Sequence, residues 1–244
     1  MANGGRSYPS NFNSPFKPTA LADFVISDDA SRTQLDSIVN GRLPFPLFGK
    51  NAICLWGING SGKSTLALML PQLLEQSARL IGSQRAAGMF ASSHYWELTE
   101  CAIGMNSLSM LTDLNKRCKD MMATSPSGWH YEVLDEVDLL TPAAMAGLKT
   151  AITFANSTIF ILTTNHPSKL DKGVRDRCIL VEMNQPQPAA CIPLAQRFFR
   201  QMGLTGNEVA PSVFAQLAAA SKGSMREFGT AVATLGMGLG GTIV

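Results

Sequence analysis

The sequence predicts an α/β fold, a mostly parallel sheet with helices on both faces, followed by a small all-α domain. Three observations predict it. The stretch Asn51 to Leu68, NAICLWGINGSGKSTLAL, reads as strand, glycine loop and helix. Apolar strand-like runs then alternate with helical patterns as far as Met183. Beyond a linker at 185–188, three amphipathic helical patterns follow without an intervening strand.

The elements follow in chain order. Residues 1–15 are rich in Asn, Gly, Ser and Pro, and are expected to be a disordered tail. From Phe16 the chain gains apolar residues, and Leu35, Ile38 and Val39 suit a short helix over 28–39 that Gly41 and Pro44 stop. A strand is expected at Ala52 to Trp56, with a helix from Ser64 to about Ser77. A strand near Tyr95 to Leu98 and a helix from about Leu108 to Met122 come next. Val133 and Leu134 form a strand that ends in two acids. Thr141 caps a helix with Pro142 in its first turn and Ala144, Leu148 and Ile152 on its apolar face. Strands at Thr158 to Leu162 and Cys178 to Met183 complete the sheet. The helical patterns cover 189–202, 211–220 and 224–235, and the glycines from 236 to 241 are expected to fray.

Composition excludes little. The 244 residues suit one large domain or a large and a small one, with 45% hydrophobic and 16% charged residues. A net charge of +2 says nothing of a nucleic-acid partner unless the cations cluster. Asn115-Lys116-Arg117-Cys118-Lys119 places three cations within about one helical turn, which reads either as a solvated helix face or as a phosphate-contacting one. Five scattered cysteines with no C-x-x-C pair read as reduced thiols without a zinc site. No signal peptide or membrane-spanning apolar run is visible, so the expected compartment is the cytoplasm, or the nucleus or host-cell interior for a eukaryotic or viral source.

The chemistry begins at Gly57-x-x-x-x-Gly62-Lys63-Ser64, the spacing of a phosphate-binding loop. Gly57, Gly60 and Gly62 allow backbone N–H groups, including those around Asn59, Ser61 and Thr65, to converge on phosphate oxygens. The following helix directs its positive end at the same anion. Lys63 would reach the β- and γ-phosphates of ATP, and Ser64 would ligate Mg²⁺. Asp135 at a strand tip suits Mg²⁺, directly or through water, while Glu136 is placed to polarise an attacking water. Asn165, after Thr163 and Thr164, either orients the lytic water or touches the γ-phosphate, or is an ordinary strand terminator.

Taken in order, the phosphate loop, YEVLDEVD, TTN, VRDRC and KGSMREF resemble an AAA+ ATPase, and more narrowly the replication clamp loader small subunits (replication factor C-like). Phe16-Lys17-Pro18-Thr19 with 21–25, and Gly41 to Pro44, resemble that family's entry segment, so the likeness spans about Phe16 to Leu235. It implies a P-loop NTPase of AAA+ type: a mostly parallel five-stranded sheet flanked by helices over 16–185, then a small all-α lid domain over 186–244. Asp135 and Glu136 match the Walker B pair and Asn165 the sensor 1 residue. Arg177 matches the arginine that reaches a neighbouring subunit's nucleotide, and Arg226 the sensor 2 arginine of the lid. ATP and Mg²⁺ are the implied cofactors. Implied partners are further AAA+ subunits, like or unlike, primed or single-stranded DNA, and a replication protein, with no membrane.

Three features depart from the family pattern. The loop GINGSGKST lacks the usual proline and looks superficially like that of ABC transporter ATPases, but no LSGGQ-type signature follows. Asp176 stands where the family has serine. The sequence ends after the lid, where clamp loader subunits continue into a collar, so assembly is expected to rest on the ATPase domains or a partner, or not to occur. The leading expectation is an ATP-driven clamp-loader-like switch in DNA replication. The alternatives are a nucleotide-gated recruitment ATPase of viral, plasmid or transposon type, or a general AAA+ protein remodeller. Threading remodellers use an aromatic pore loop, and Leu98 to Met105 offers no central aromatic.

Overall fold

The computed structural model describes residues 16–80, 95–102, 107–120, 125, 127–155 and 157–242. The expected tail at 1–15 and part of the pore-loop region lie outside them. By its contacts the chain divides into two compact units, Ile26–Gln185 and a second that joins the segment up to Val25 with 186–244.

The larger unit is a five-stranded, wholly parallel sheet in the order β2-β3-β4-β1-β5. Its strands are β1 (Ala52–Trp56), β2 (Trp96–Glu100), β3 (His130–Asp135), β4 (Thr158–Thr164) and β5 (Cys178–Glu182). Every residue of the central strand β4 is buried, as the apolar stretch from Ile159 to Leu162 predicts for a strand covered on both faces. The helices are α1 (Asp29–Val39), α2 (Lys63–Leu80), α3 (Ser107–Asp120), α4 (Pro142–Phe154) and the short α5 (Lys172–Asp176). The Asp28 carboxylate accepts the Ser31 N–H at 2.7 Å and caps α1, and Thr141 caps α4 with Pro142 in its first turn. Helix α2 runs three residues beyond the expected end and passes through Pro71. Buried Leu66, Leu70, Leu73 and Leu74 supply the packing that outweighs the lost backbone bond.

Register decides where the chemistry sits. Trp56 pairs with Thr164, and Leu134 with Leu162, so the carboxyl ends of β1, β3 and β4 align along one edge.

An internal polar anchor ties α2 to β3. The Glu75 carboxylate, 3% exposed, accepts from the Ser127 N–H at 3.0 Å, from the Ser127 hydroxyl, and from the Tyr131 hydroxyl at 2.7 Å. Tyr131→Phe removes a donor from a buried carboxylate and is expected to lower stability by about 1–3 kcal/mol. Denaturant unfolding checks this: the midpoint falls with an unchanged slope, and a shift below about 0.5 kcal/mol contradicts it.

The smaller unit packs α6 (Ile192–Gln201), α7 (Pro211–Ala220) and α8 (Met225–Gly238) around Phe198, Phe199, Phe214, Phe228 and Val232. Phe16 stacks on Phe198 at 4.6 Å between ring centroids, and Asp23 forms an ion pair with Arg197. The entry segment 16–25 thus groups with the helical unit, whereas the sequence reading placed it with the sheet. The glycine stretch differs from expectation as well. Helix α8 continues to Gly238, and a Cβ on Gly236 would lie 2.8 Å from the Met202 methyl carbon, so glycine there serves close packing of α8 on α6.

Candidate functional site

The carboxyl edge of β1 opens into the glycine loop. Gly57, Gly60 and Gly62 have φ of 151°, 78° and 95°. A Cβ on Gly57 would stand 2.3 Å from the Met183 carbonyl oxygen, so only glycine lets the loop leave β1 here. Lys63, 7% exposed, begins α2 and donates to the carbonyls of Gly57 at 3.0 Å and Ile58 at 2.7 Å. Burial pushes its ammonium pKa down, while the Asp135, Asp138 and Glu136 carboxylates pull it back up. A cation held in a glycine cradle and balanced by acids is suited to polyphosphate.

The tip of β3 faces this loop. Ser64 donates from its hydroxyl to Asp135 at 2.9 Å, which brings the two proposed Mg²⁺ ligands together. Thr163 donates to the same Asp135 oxygen and accepts the Glu136 N–H at 2.9 Å. Glu136 itself has φ 59° and ψ 47°, a left-handed conformation uncommon for a residue with a side chain. Such strain concentrates where side chains must be aimed. Asn165 follows β4, and its amide oxygen, like the Ser61 hydroxyl, is buried without a protein partner. Orphaned polar atoms beside a glycine cradle fit a phosphate with its metal and water.

Thr163, Thr164 and Asp138 were not singled out from the sequence. The signal available was the polar run Thr163-Thr164-Asn165 ending an otherwise apolar strand, together with a third acid three residues after Asp135. Asn59, Gly60 and Thr65 lie in the loop or the first turn of α2, as their positions require.

One expected arginine lies away from this edge. Arg177 precedes β5, and its carbonyl accepts the Ala52 N–H at the amino end of β1. Five residues of strand separate that end from the glycine loop, roughly 17 Å at about 3.3 Å per residue. Its guanidinium donates to the Gly173 carbonyl at 2.8 Å. Arg226 occupies the first turn of α8 in the helical unit.

The basic run on α3 is not a uniform cationic face. Lys116 is exposed, but Arg117 turns inward and clasps Glu132, a fully buried carboxylate, at 2.9 and 3.1 Å. His130 meets the same carboxylate at 3.0 Å. Burial of Glu132 in β3 demands that counter-charge, which takes Arg117 out of the expected surface cluster. The side chain of Lys119 lies outside the described residues.

The profile of the ATPase family associated with various cellular activities (AAA) matches residues 53–184, which run from β1 through β5. The chain belongs to the AAA ATPase family. Within it, the chain is similar to the replication factor C small subunit of Methanoregula boonei, at 26% identity over 216 residues that cover 87% of this chain and 59% of that relative. Replication factor C subunit 3 of Arabidopsis thaliana is 24% identical over 193 residues, covering 70% and 52%. The AAA chain thus spans little more than half the length of these relatives. Among solved structures, a RuvB variant of Thermotoga maritima superposes with a TM-score of 0.62 at 17% identity, over 89% of this chain and 64% of that one, a likeness of fold. Among the described residues of this AAA chain, no helix is long and apolar enough to cross a membrane.

Proposed function

We propose that this AAA chain binds and hydrolyses MgATP at interfaces between subunits, and that the cycle drives assembly on DNA in the manner of a clamp loader. The single observation that carries the reading is the separation of Arg177 from the glycine loop at opposite edges of the sheet. A guanidinium so placed serves a neighbour's nucleotide, so a complete site needs two copies or a partner subunit.

In this reading the loop amides and Lys63 hold the phosphates, and Ser64 and Asp135 would hold Mg²⁺, which would supply positive charge to offset that of the phosphates. Glu136 takes a proton from the attacking water, and Asn165 orients that water through its free amide oxygen. Arg177 from a neighbour stabilises charge on the transferring phosphoryl group, and Arg226 on the lid contributes a second guanidinium. The likeness to replication factor C subunits supports DNA and a replication protein as partners.

The test is the ATPase rate without DNA, with single-stranded DNA and with primed-template DNA, beside a native mass with a non-hydrolysable ATP analogue. Stimulation by primed DNA and an analogue-dependent oligomer are expected. An oligomer without DNA stimulation favours a recruitment ATPase instead. A further prediction concerns α3: Lys116→Glu with Lys119→Glu lowers DNA affinity and reduces the salt slope of binding by about 2 while basal ATP binding is kept. An unchanged slope moves the DNA surface off this helix.

A further inference from the structure

The short turn Val137–Leu139 after Glu136 carries a third acid, Asp138. One of its carboxylate oxygens accepts twice, from the Thr164 hydroxyl at 2.8 Å and from the Asn165 N–H at 3.2 Å. The Thr164 hydroxyl in turn accepts the His166 N–H at 3.0 Å, and the Thr164 carbonyl accepts the Gly57 N–H at 3.3 Å. Thr164 has no solvent exposure. A single carboxylate therefore ties three parts of the site together: the turn that carries Asp135 and Glu136, the tip of β4 that carries Asn165, and the entrance of the glycine loop.

This arrangement has a chemical consequence. Asp138 holds the backbone of Asn165 and leaves the side chain amide oxygen unpartnered. A carboxylate is suited to the task because both groups facing it are donors, and a charged acceptor shortens and strengthens such bonds in a partly buried setting. We propose that Asp138 is a positioning residue that fixes Asn165 relative to Glu136, so that one water is aligned for attack, without itself contacting the nucleotide. The proposal rests on the ATPase reading above. It differs from plain structural support in acting through one named side chain.

The experiment measures kcat and KM for ATP in Asp138→Ala, Asp138→Asn, Asn165→Ala and the double variant Asp138→Ala with Asn165→Ala, beside Glu136→Gln. ATP affinity is followed separately with a fluorescent ATP analogue. Misplacing a reacting group by about 1 Å costs up to roughly 10²-fold in rate, so Asp138→Ala is expected to lose about 10- to 100-fold in kcat while KM and analogue affinity stay within about threefold. Asp138→Asn keeps an acceptor at the same position and restores kcat to within about fivefold of wild type. The double variant is no slower than Asn165→Ala alone, because residues acting as a unit are non-additive.

Wild-type kcat in Asp138→Ala overturns the proposal, and so do additive losses in the double variant. A loss confined to ATP affinity overturns it as well. Should Asp138→Ala fail to fold, Thr164→Val with and without Asn165→Ala reads the same coupling, and additivity there is equally decisive. If Glu136→Gln turns over at the wild-type rate, it is the ATPase reading that fails, which separates the two outcomes.

Discussion

Lys63→Ala abolishes ATP binding, whereas Glu136→Gln retains ATP and stalls its turnover. The lysine lies at the mouth of α2 with its ammonium against the loop carbonyls of Gly57 and Ile58, so a polyphosphate entering the cradle meets a positive charge already buried there. Removing it leaves the cradle facing Asp135, Glu136 and Asp138 without a counter-charge, and phosphate is then repelled. Glu136 has no such part in holding the ligand, because its task in the proposed reaction begins when water attacks. The amide of Gln keeps the shape and removes the base, a loss on the order of 10²- to 10⁴-fold in kcat. Equilibrium binding of a fluorescent ATP analogue, with single-turnover hydrolysis beside it, separates the two. Equal loss of ATP binding in both variants would contradict the division of roles.

The second large effect is expected at Arg177. Arg177→Ala leaves ATP affinity nearly intact and lowers hydrolysis by roughly 10³- to 10⁵-fold, the range for a guanidinium supplied in trans. The same geometry predicts that the wild-type rate rises more than linearly with protein concentration, since a finger at one sheet edge completes a site only at the opposite edge of another subunit. Mixing Arg177→Ala with Lys63→Ala supplies a further check, because each variant offers the half-site that the other lacks. A dilute, demonstrably monomeric sample that hydrolyses ATP at the full specific rate would refute the assignment.

Much of the fold was legible because its signals are local. The loop from Gly57 to Ser64 is a matter of backbone conformations that only glycine adopts readily, followed by a helix whose first turn must begin at Lys63. Strand β1, buried except at Trp56, and the buried strand β4 read as largely apolar runs, and Thr141-Pro142 marked its helix start by capping chemistry. Element ends were less legible. Helix α2 outlasted its pattern because leucines packed against the sheet outweigh Pro71, and α8 continues to Gly238 with Gly236 packed against Met202 rather than fraying.

The sequence by itself determined the sheet, the glycine loop and which acids and amides stand at strand tips, since spacing along one chain is enough for each of these. Only the tertiary structure decided what those side chains face. The basic run on α3 looked alike at Lys116 and Arg117, yet a buried Glu132 contributed by β3 draws the second inward and leaves the first in water. Thr163 and Asp138 become part of the site only through the register of β3 on β4, which sets Leu134 beside Leu162 and so brings both strand tips to the same edge. Arg177 is set at the far edge by the parallel pairing of β1 with β5. Pairings between strands tens of residues apart depend on burial and hydrogen bonds summed over the whole sheet, and that sum has no local trace in the sequence.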